Sequence, residues 1–437
     1  MASALGAWQP VAMKEAIATG LDTANRAALA LAALDASIAA LSDAILGDPR
    51  LLALEARWRG LHRLLAAAGG AQHVVIRLLD IPEQMLRRDL ARAEGFDRTI
   101  LFKRVHDDVF GIDAAEPFAL LLVDIAWSAD AEDVAALADL ARIAAALPAL
   151  CLTQASPAMF GLTDWAAARK AEELADAPLH RRPDWLALRD MTEARHLALV
   201  LPRALIRSGS SPAQHCWLPA EWLVAGNIIR SAATHGVGTW MWGHEGGGRI
   251  DGLPTADLGP GPDGRGDRRS LDCRVPADAL DVRLGALGFL PVTQDPPHLV
   301  PADPALPAAA LIFSAPTLHR ARRYENLAVS ADASIAARAW FALSVVQLLH
   351  ALRLTARDGL AAGRPAIAIE AALARIVARH AGEPGPLRAF PLFEGTVQLL
   401  PPGEGAPLWR VRLLARPVLG MAMLSRPFPL VVAVPAG

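Results

Sequence analysis

Large apolar residues recur at helical spacing through the first 66 residues of the chain. Leu31, Leu34, Ile38, Leu41 and Ile45 follow one another at intervals of 3, 4, 3 and 4, which places them on one face of a helix. Gly47 ends that pattern, and Asp48 and Pro49 are of the types favoured at a helix N-cap and first helical position. The same spacing then returns in Leu51, Leu54, Trp58, Leu61 and Leu65. Residues 1–66 are therefore predicted to form a helical hairpin or docking element. Its stripes are expected to be core, with burial under a partner subunit as the alternative.

From Gln72 to about Trp242 the pattern alternates. His73–Leu79 is a short apolar run with β-branched residues, and Asp80-Ile-Pro-Glu83 has the form of a helix start. Phe118–Ile125, Ala149–Thr153, His196–Pro202 and Gly238–Trp242 read as strands, while Ser128 and Pro219 open helices. This alternation predicts an α/β layer with a mixed sheet over residues 67–325. Residues 243–270, rich in Gly, Pro and Asp, are expected as an exposed loop, and Pro291–Pro307 as a second Pro-rich passage. Helical composition returns at Val329–Arg357 and Pro365–His380. Strands are expected at Glu394–Leu400, Leu408–Ala415 and Leu430–Val434. The region 326–437 is thus helical plus β-strand, with a hairpin-like pair whose edge could accept another chain. The fold class is α/β with α+β character.

A length of 437 residues predicts two or three packed regions, and 53% hydrophobic residues argue against extensive disorder. A net charge of −2 offers no bulk attraction to nucleic acid or anionic lipid. Apolar runs such as Phe118–Val123 are far shorter than the ~20 residues of a membrane helix. The first residues lack a basic segment followed by an apolar one. A cytoplasmic location without membrane insertion is expected. Cys151, Cys216 and Cys273 lie 65 and 57 residues apart, which suits small buried thiols better than a disulfide framework or zinc site. All but three of the 43 basic residues are Arg, a bias that would suit bidentate ion pairs at interfaces.

Catalytic motifs are sparse. His244-Glu245 followed by Gly246–Gly248 lacks the second histidine of a zinc-binding HExxH helix, and its glycines disfavour helix. The glycines could form an anion nest or simply a flexible connection. No Gly-Lys-Ser/Thr phosphate loop and no GxSxG elbow occurs. His106 adjoins Asp107 and Asp108, and Asp124 at the end of an apolar strand is the best single acid or base. Capping or ion pairing is the competing role for Asp124. No cofactor is expected, and an enzyme built on Asp124 and the His244–Gly248 loop remains only as a rival reading.

Several collinear passages resemble the large subunit of the contractile sheath of type VI secretion, the TssC (VipB, EvpB) family. Leu54-Glu-Ala-Arg-Trp58-Arg59-Gly60-Leu61-His62 is similar to the family's LEAxWRGLH signature. Ile100–Gly111, Glu116-Pro117-Phe118 and Leu121–Asp124 resemble the next block. Ala155-Ser-Pro157, Met159-Phe-Gly161, Trp185–Asp190 and Leu199–Arg203 continue in order. Gly246–Gly248, Gly252-Leu-Pro254, Leu287–Pro291 and Pro386-Leu-Arg388 complete the series. Two departures are a short segment before the Trp-Arg-Gly-Leu-His block and a single tyrosine, Tyr324.

The resemblance implies a structural protein. It would pair with a small sheath subunit (TssB/VipA-like) as an intertwined heterodimer and polymerise with its own copies into a helical tubule. That tubule would surround the Hcp tube, start from a baseplate, and contract to drive the tube outward. Head-to-tail contacts that do not close generate such a filament, and exchanged strands would stitch neighbours together. Leu54, Trp58, Arg59 and Leu61 are implied at the contact with the small subunit. Val397, Leu399, Val411 and Leu413 are implied at the stitching strands. Recycling by the AAA+ ATPase ClpV would use an N-terminal helix, for which Val11, Ile17 and Leu21 are the candidates. A non-assembling paralogue acting as regulator or cap is the alternative within the family.

Overall fold

A computed structural model describes residues 23–107, 117–168, 170–260, 266–273, 275, 277–295, 307–381, 392–403, 408–419 and 422–434. Val11, Ile17, Leu21, Asp108 and the Pro386–Arg388 passage lie outside these residues.

Helices α1 (Thr23–Leu46) and α2 (Pro49–Ala68) lead the described chain. Asp48 is the N-cap of α2, its carboxylate accepting the Arg50 amide at 2.8 Å, and Pro49 takes the first helical position. Gly69, at φ 57°, ends α2 in the left-handed conformation that glycine adopts without a Cβ clash. The central sheet is mixed, in the order β1 (Leu120–Trp127), β2 (Leu150–Ala155), β3 (Leu197–Leu201), β9 (Phe289–Asp295), β10 (Ala308–Ile312), β6 (Arg249–Leu253). The first four strands run parallel, and β10 is antiparallel to both of its neighbours.

Two cores sandwich this sheet, and the period-2 alternation of its strands divides side chains between them. Cys151, Leu197, Leu199, Leu201 and Phe289 face one core, with α3 (Glu83–Arg92), α4 (Ala131–Ala146), α5 (Pro183–Asp190) and α7 (Ala277–Ala286). Leu150, Leu152, Ala198, Val200, Leu290 and Val292 face the other, with α2 and α6 (Glu221–His235). Peripheral pairs β4 (Arg203–Arg207) with β5 (Cys216–Pro219) and β7 (Ala256–Pro260) with β8 (Gly266–Arg269) flank it. After α8 (Leu327–Ile335), helix α9 (Ala339–Ala361) ties the layers to the C-terminal unit. Its N-terminal residues Ala339–Leu343 join the second sheet core. Val345, Leu349 and Leu352 join a third core with α10 (Ala366–His380), β11 (Leu392–Leu400), β12 (Trp409–Leu419) and β14 (Phe428–Val434). The short β13 (Ala422–Met423) extends the turn after β12.

The mixed α/β reading is correct, but several element assignments change. His73–Leu79 is not a strand: His73 lies in a turn and the rest of the run pairs with no strand among the described residues. Asp80 caps nothing: the N-cap of α3 is Pro82, which makes no side-chain cap. Gly238–Trp242 is a turn over the end of α6, where the Ser231 hydroxyl accepts the Trp240 amide and donates to Val237 O. Only Trp242 makes a bridge there, to Gly247. The expected loop at 243–270 carries β6, β7 and β8; its described glycines lie in the turn before β6 (Gly243, Gly246–Gly248) or within the strands (Gly252, Gly259, Gly266). Pro291 lies inside β9. The helix expected at Val329–Arg357 breaks in two at residues 336–338. The expectation on apolar length is also corrected. Ala27–Leu46 and Ala339–Ala361 are both long and apolar enough to cross a bilayer, the first unburied and the second largely core.

Candidate assembly interface

Helix α2 has two faces. Ala56, Gly60, Leu64 and Ala68, spaced by four, form the buried one. Small residues along that row let α2 sit close on α6 and β5: a Cβ at Gly60 would come within 2.9 Å of Leu218 Cδ1. Ion pairs secure the same helix. Glu55 takes a two-pronged contact from Arg207 at 2.6 and 2.8 Å and a further bond from Arg59 at 2.7 Å. Hydrogen bonding from Arg207 holds the Glu55 carboxyl below its ordinary range. Arg57 pairs with Asp124, whose other oxygen accepts the Trp222 indole N–H at 3.3 Å.

The stripe read from the sequence lies off that row, on the outer face. Leu51, Leu54 and Leu65 are exposed, Trp58 is 64% exposed, and only Leu61 rests partly against the core. The first expectation, that these residues pack inside the chain, is therefore wrong for α2. It is also wrong for α1, where Leu31, Leu34, Ile38, Leu41 and Ile45 are all exposed. A 24-residue helix is about 36 Å long. What fixes its base is modest: Gln214 Nε2 bonds Asp43 Oδ1 at 2.7 Å. A 3-4-3-4 spacing is the a/d pattern of a coiled-coil seam, and here two successive helices present it uncovered.

In the C-terminal sheet β12 lies between β11 and β14; Ala381 bridges to Leu392 of β11 and the Leu399 amide donates to Glu370 Oε1, whereas β14 pairs with β12 alone among the described residues. Val397, Leu399, Val411 and Leu413 do not form a surface: all four are buried against α9 and α10. Their side chains serve the chain's own core, so a stitching role at these positions falls to strand edges and their backbone groups. Phe393 and Val431 are the exposed apolar side chains of this sheet.

The candidate catalytic groups do not converge. Asp124 sits in the bulge of β1 between Val123 and Ala126, at one edge of the central sheet. His244 belongs to the turn before β6, at the other edge, about 24 Å away by strand spacing. Its glycines form a fastened turn rather than a flexible loop or an anion nest. The Gly247 carbonyl accepts Asn227 Nδ2 and Arg230 Nη2, both at 3.0 Å, and the Gly248 amide donates to Gly243 O. Beside Asp124, burial and then the Asp124 charge push the Glu221 carboxyl well above its usual range. His106 lies between Asp107 and the Arg353 guanidinium, its Nδ1 2.8 Å from Asp107 Oδ1 and its Nε2 2.8 Å from Arg353 Nη2. Burial lowers its pKa. The three thiols are buried, and burial raises Cys151 and Cys273 to about 12 and Cys216 to about 11, far from a reactive thiolate. Among the described residues no group of His, Cys, Asp and Glu could hold a metal ion.

Sequence reasoning missed the inward half of the Trp-Arg-Gly motif. Gly60 is the docking residue and Trp58 the outward one; the signal was the four-residue spacing of Ala, Gly and Leu, which a search for large apolar residues passes over. It also missed that the strand-like run after α2 stays open, with Val75, Leu78 and Leu79 exposed.

Comparison with known proteins brings these surfaces into one frame. Residues 29–215 match the family model described as EvpB/VC_A0108, tail sheath N-terminal domain (VipB). The type VI secretion system sheath protein TssC1 of Pseudomonas aeruginosa is 26% identical over 352 residues, a stretch covering 75% of this chain and 68% of that relative.

Proposed function

The chain belongs to the TssC/VipB family of sheath proteins, and on that premise we propose that it is the large structural subunit of a type VI secretion contractile sheath. The observation that carries this reading is the pair of uncovered heptad seams on α1 and α2, within the family-matched segment. An apolar ribbon of this length is costly in water and is the surface an obligate partner covers.

The partner on this reading is the small sheath subunit, with Leu54, Trp58, Arg59 and Leu61 on the contact face. Trp58 is of the residue type that dominates interface energetics when desolvated. Copies of the same protomer then continue the assembly head to tail, through the open edge of β14, into a cytoplasmic helical tubule around the Hcp tube and anchored at a baseplate. Contraction releases the difference in contact energy between two packings of one protomer. This function is mechanical rather than catalytic. The separation of Asp124 from His244 and the high thiol pKa values support that view. Recycling by ClpV through Val11, Ile17 and Leu21 is part of the same proposal.

Co-expression with the cognate small subunit, followed by size-exclusion chromatography with light scattering, tests the reading. A stable complex containing both chains supports it. A large chain that elutes as a discrete particle whether or not the small subunit is present would contradict it.

A further inference from the structure

The carboxyl ends of the parallel strands open into two adjoining crevices of about 300 and about 610 Å³. Open α/β sheets take their ligands at that end, and both volumes suit a small molecule. Arg203 and Trp217 stand between the two and line both. In the smaller crevice Ala53, Ala56 and Arg57 of α2 form one wall and Gln154, near the end of β2, lies opposite among the strand ends.

The polar groups of the smaller crevice are unevenly satisfied. Its acceptors are engaged: Asp124 takes Arg57 Nε and the Trp222 indole on separate oxygens. Asp272, against Arg203, takes that residue's amide and its Nε on separate oxygens, at 2.9 and 2.7 Å. Glu221 is fully buried with neither carboxyl oxygen bonded among the described residues, and burial beside Asp124 favours its neutral form. The donors are not engaged. Among the described residues no hydrogen bond is made by either Nη of Arg57 or Arg203, by Trp217 Nε1 or by the Gln154 amide. Gln154 is only 7% exposed, and a side-chain amide taken out of water without a partner is costly. A crevice with surplus donors selects a ligand made of acceptors.

In the larger crevice the balance reverses. Asp164 and Asp257 each accept a backbone amide on one oxygen, from Ala167 and Gly259, both at 2.9 Å. The second oxygen of each bonds nothing among the described residues. That end selects a ligand that brings donors.

We propose that the groove binds a sugar phosphate, its phosphate held by Arg57, Arg203, Trp217 and Gln154 and its hydroxyls donated to Asp164 and Asp257. Phosphate suits the smaller crevice better than carboxylate because the donors come from four elements, α2, β2, β4 and β5. Three terminal oxygens answer several directions, whereas a planar carboxylate is matched by a single guanidinium. Bound there, the phosphate braces α2 against the strand ends. The site stands independently of the sheath reading, and it gives the helix that presents Trp58 a ligand-dependent support.

Isothermal titration of the full chain with ribose 5-phosphate, inorganic phosphate and ribose tests this. Ribose 5-phosphate fills one site, at least about tenfold more tightly than inorganic phosphate, and ribose alone does not bind. Gln154→Met removes an amide that bonds nothing within the chain, so the unliganded variant keeps its thermal midpoint and binds ribose 5-phosphate at least about tenfold more weakly. Trp217→Phe keeps a ring, loses the N–H and weakens binding in the same direction. No saturation by either phosphate at millimolar concentration overturns the site. Equal affinity for ribose 5-phosphate and inorganic phosphate overturns the hydroxyl end. Binding that neither substitution changes overturns the placement in this groove.

Discussion

Gly60 on α2 and Trp222 on α6 meet so closely that a Cβ on the glycine would lie 2.8 Å from the indole Cε3. The glycine turns a tryptophan-containing helix inside out: its small row docks, and Trp58, two residues away, points to solvent. Gly60→Ala is expected to wedge α2 off α6 and to cost about 1–3 kcal/mol, an overpacking penalty. Denaturant unfolding would show this as a lower midpoint. An unchanged midpoint would mean that the helix contact is looser than the geometry indicates.

Substitution on the opposite face has the reverse profile. Leu54→Asp combined with Trp58→Asp removes no packing within the chain, so its unfolding free energy stays within about 0.5 kcal/mol. Association with the small subunit is expected to be lost in pull-down. Wild-type binding by this variant would remove α2 from the interface.

Legibility differed by element for physical reasons. The α1 and α2 boundaries were visible because Gly47, Asp48 and Pro49 act locally. The parallel strands β1 to β3 were visible because strands buried on both faces are apolar throughout. The direction each helix faces was not visible. Leu31–Ile45 and Leu51–Leu65 have the pattern of a core stripe, and periodicity alone cannot tell this chain's core from a partner's. Val397, Leu399, Val411 and Leu413 show the converse error: the strands were found, but their side chains fill the core under α9 and α10. In the 243–270 segment, strands of four or five residues carry too few apolar positions to stand out from their turns.

Leu413, fully buried between β12 and the helices, therefore tests core rather than contact. Leu413→Ala is expected to cost about 2–5 kcal/mol, whereas Val431→Ala on the exposed face of β14 should lie within about 0.5 kcal/mol. Equal effects in thermal unfolding would contradict the assignment of the two faces.

Acid should weaken the fold through two histidines. Burial lowers His319 and His350 from 6.5 to about 4; His350 Nε2 donates to Leu147 O at 2.7 Å, tying α9 to the end of α4. The unfolded chain takes up protons below pH 6.5 that these native imidazoles refuse. Stability is therefore full above the unfolded value and falls as pH drops from about 6.5 towards 4, by up to about 3 kcal/mol per group. Urea midpoints measured across that range check the slope, which should be shallower in His350→Gln. A flat profile would mean that the two imidazoles ionise as freely as in the unfolded chain.

The groups with enzyme-like surroundings should behave as structural ones. Asp124→Asn weakens the tie from Arg57 and Trp222 and is expected to lower stability by about 1 kcal/mol. His244→Ala should change neither stability nor association with the small subunit beyond experimental scatter. Loss of association in His244→Ala would reopen a functional role for the Gly246–Gly248 turn.

The central claim concerns assembly, and electron microscopy of negatively stained material from co-expression with the small subunit tests it most directly. Hollow helical tubules requiring both chains, and absent with the Leu54→Asp/Trp58→Asp variant, are the predicted result. A stable two-chain complex that never forms tubules would contradict the sheath role and identify the chain as a non-assembling member of its family.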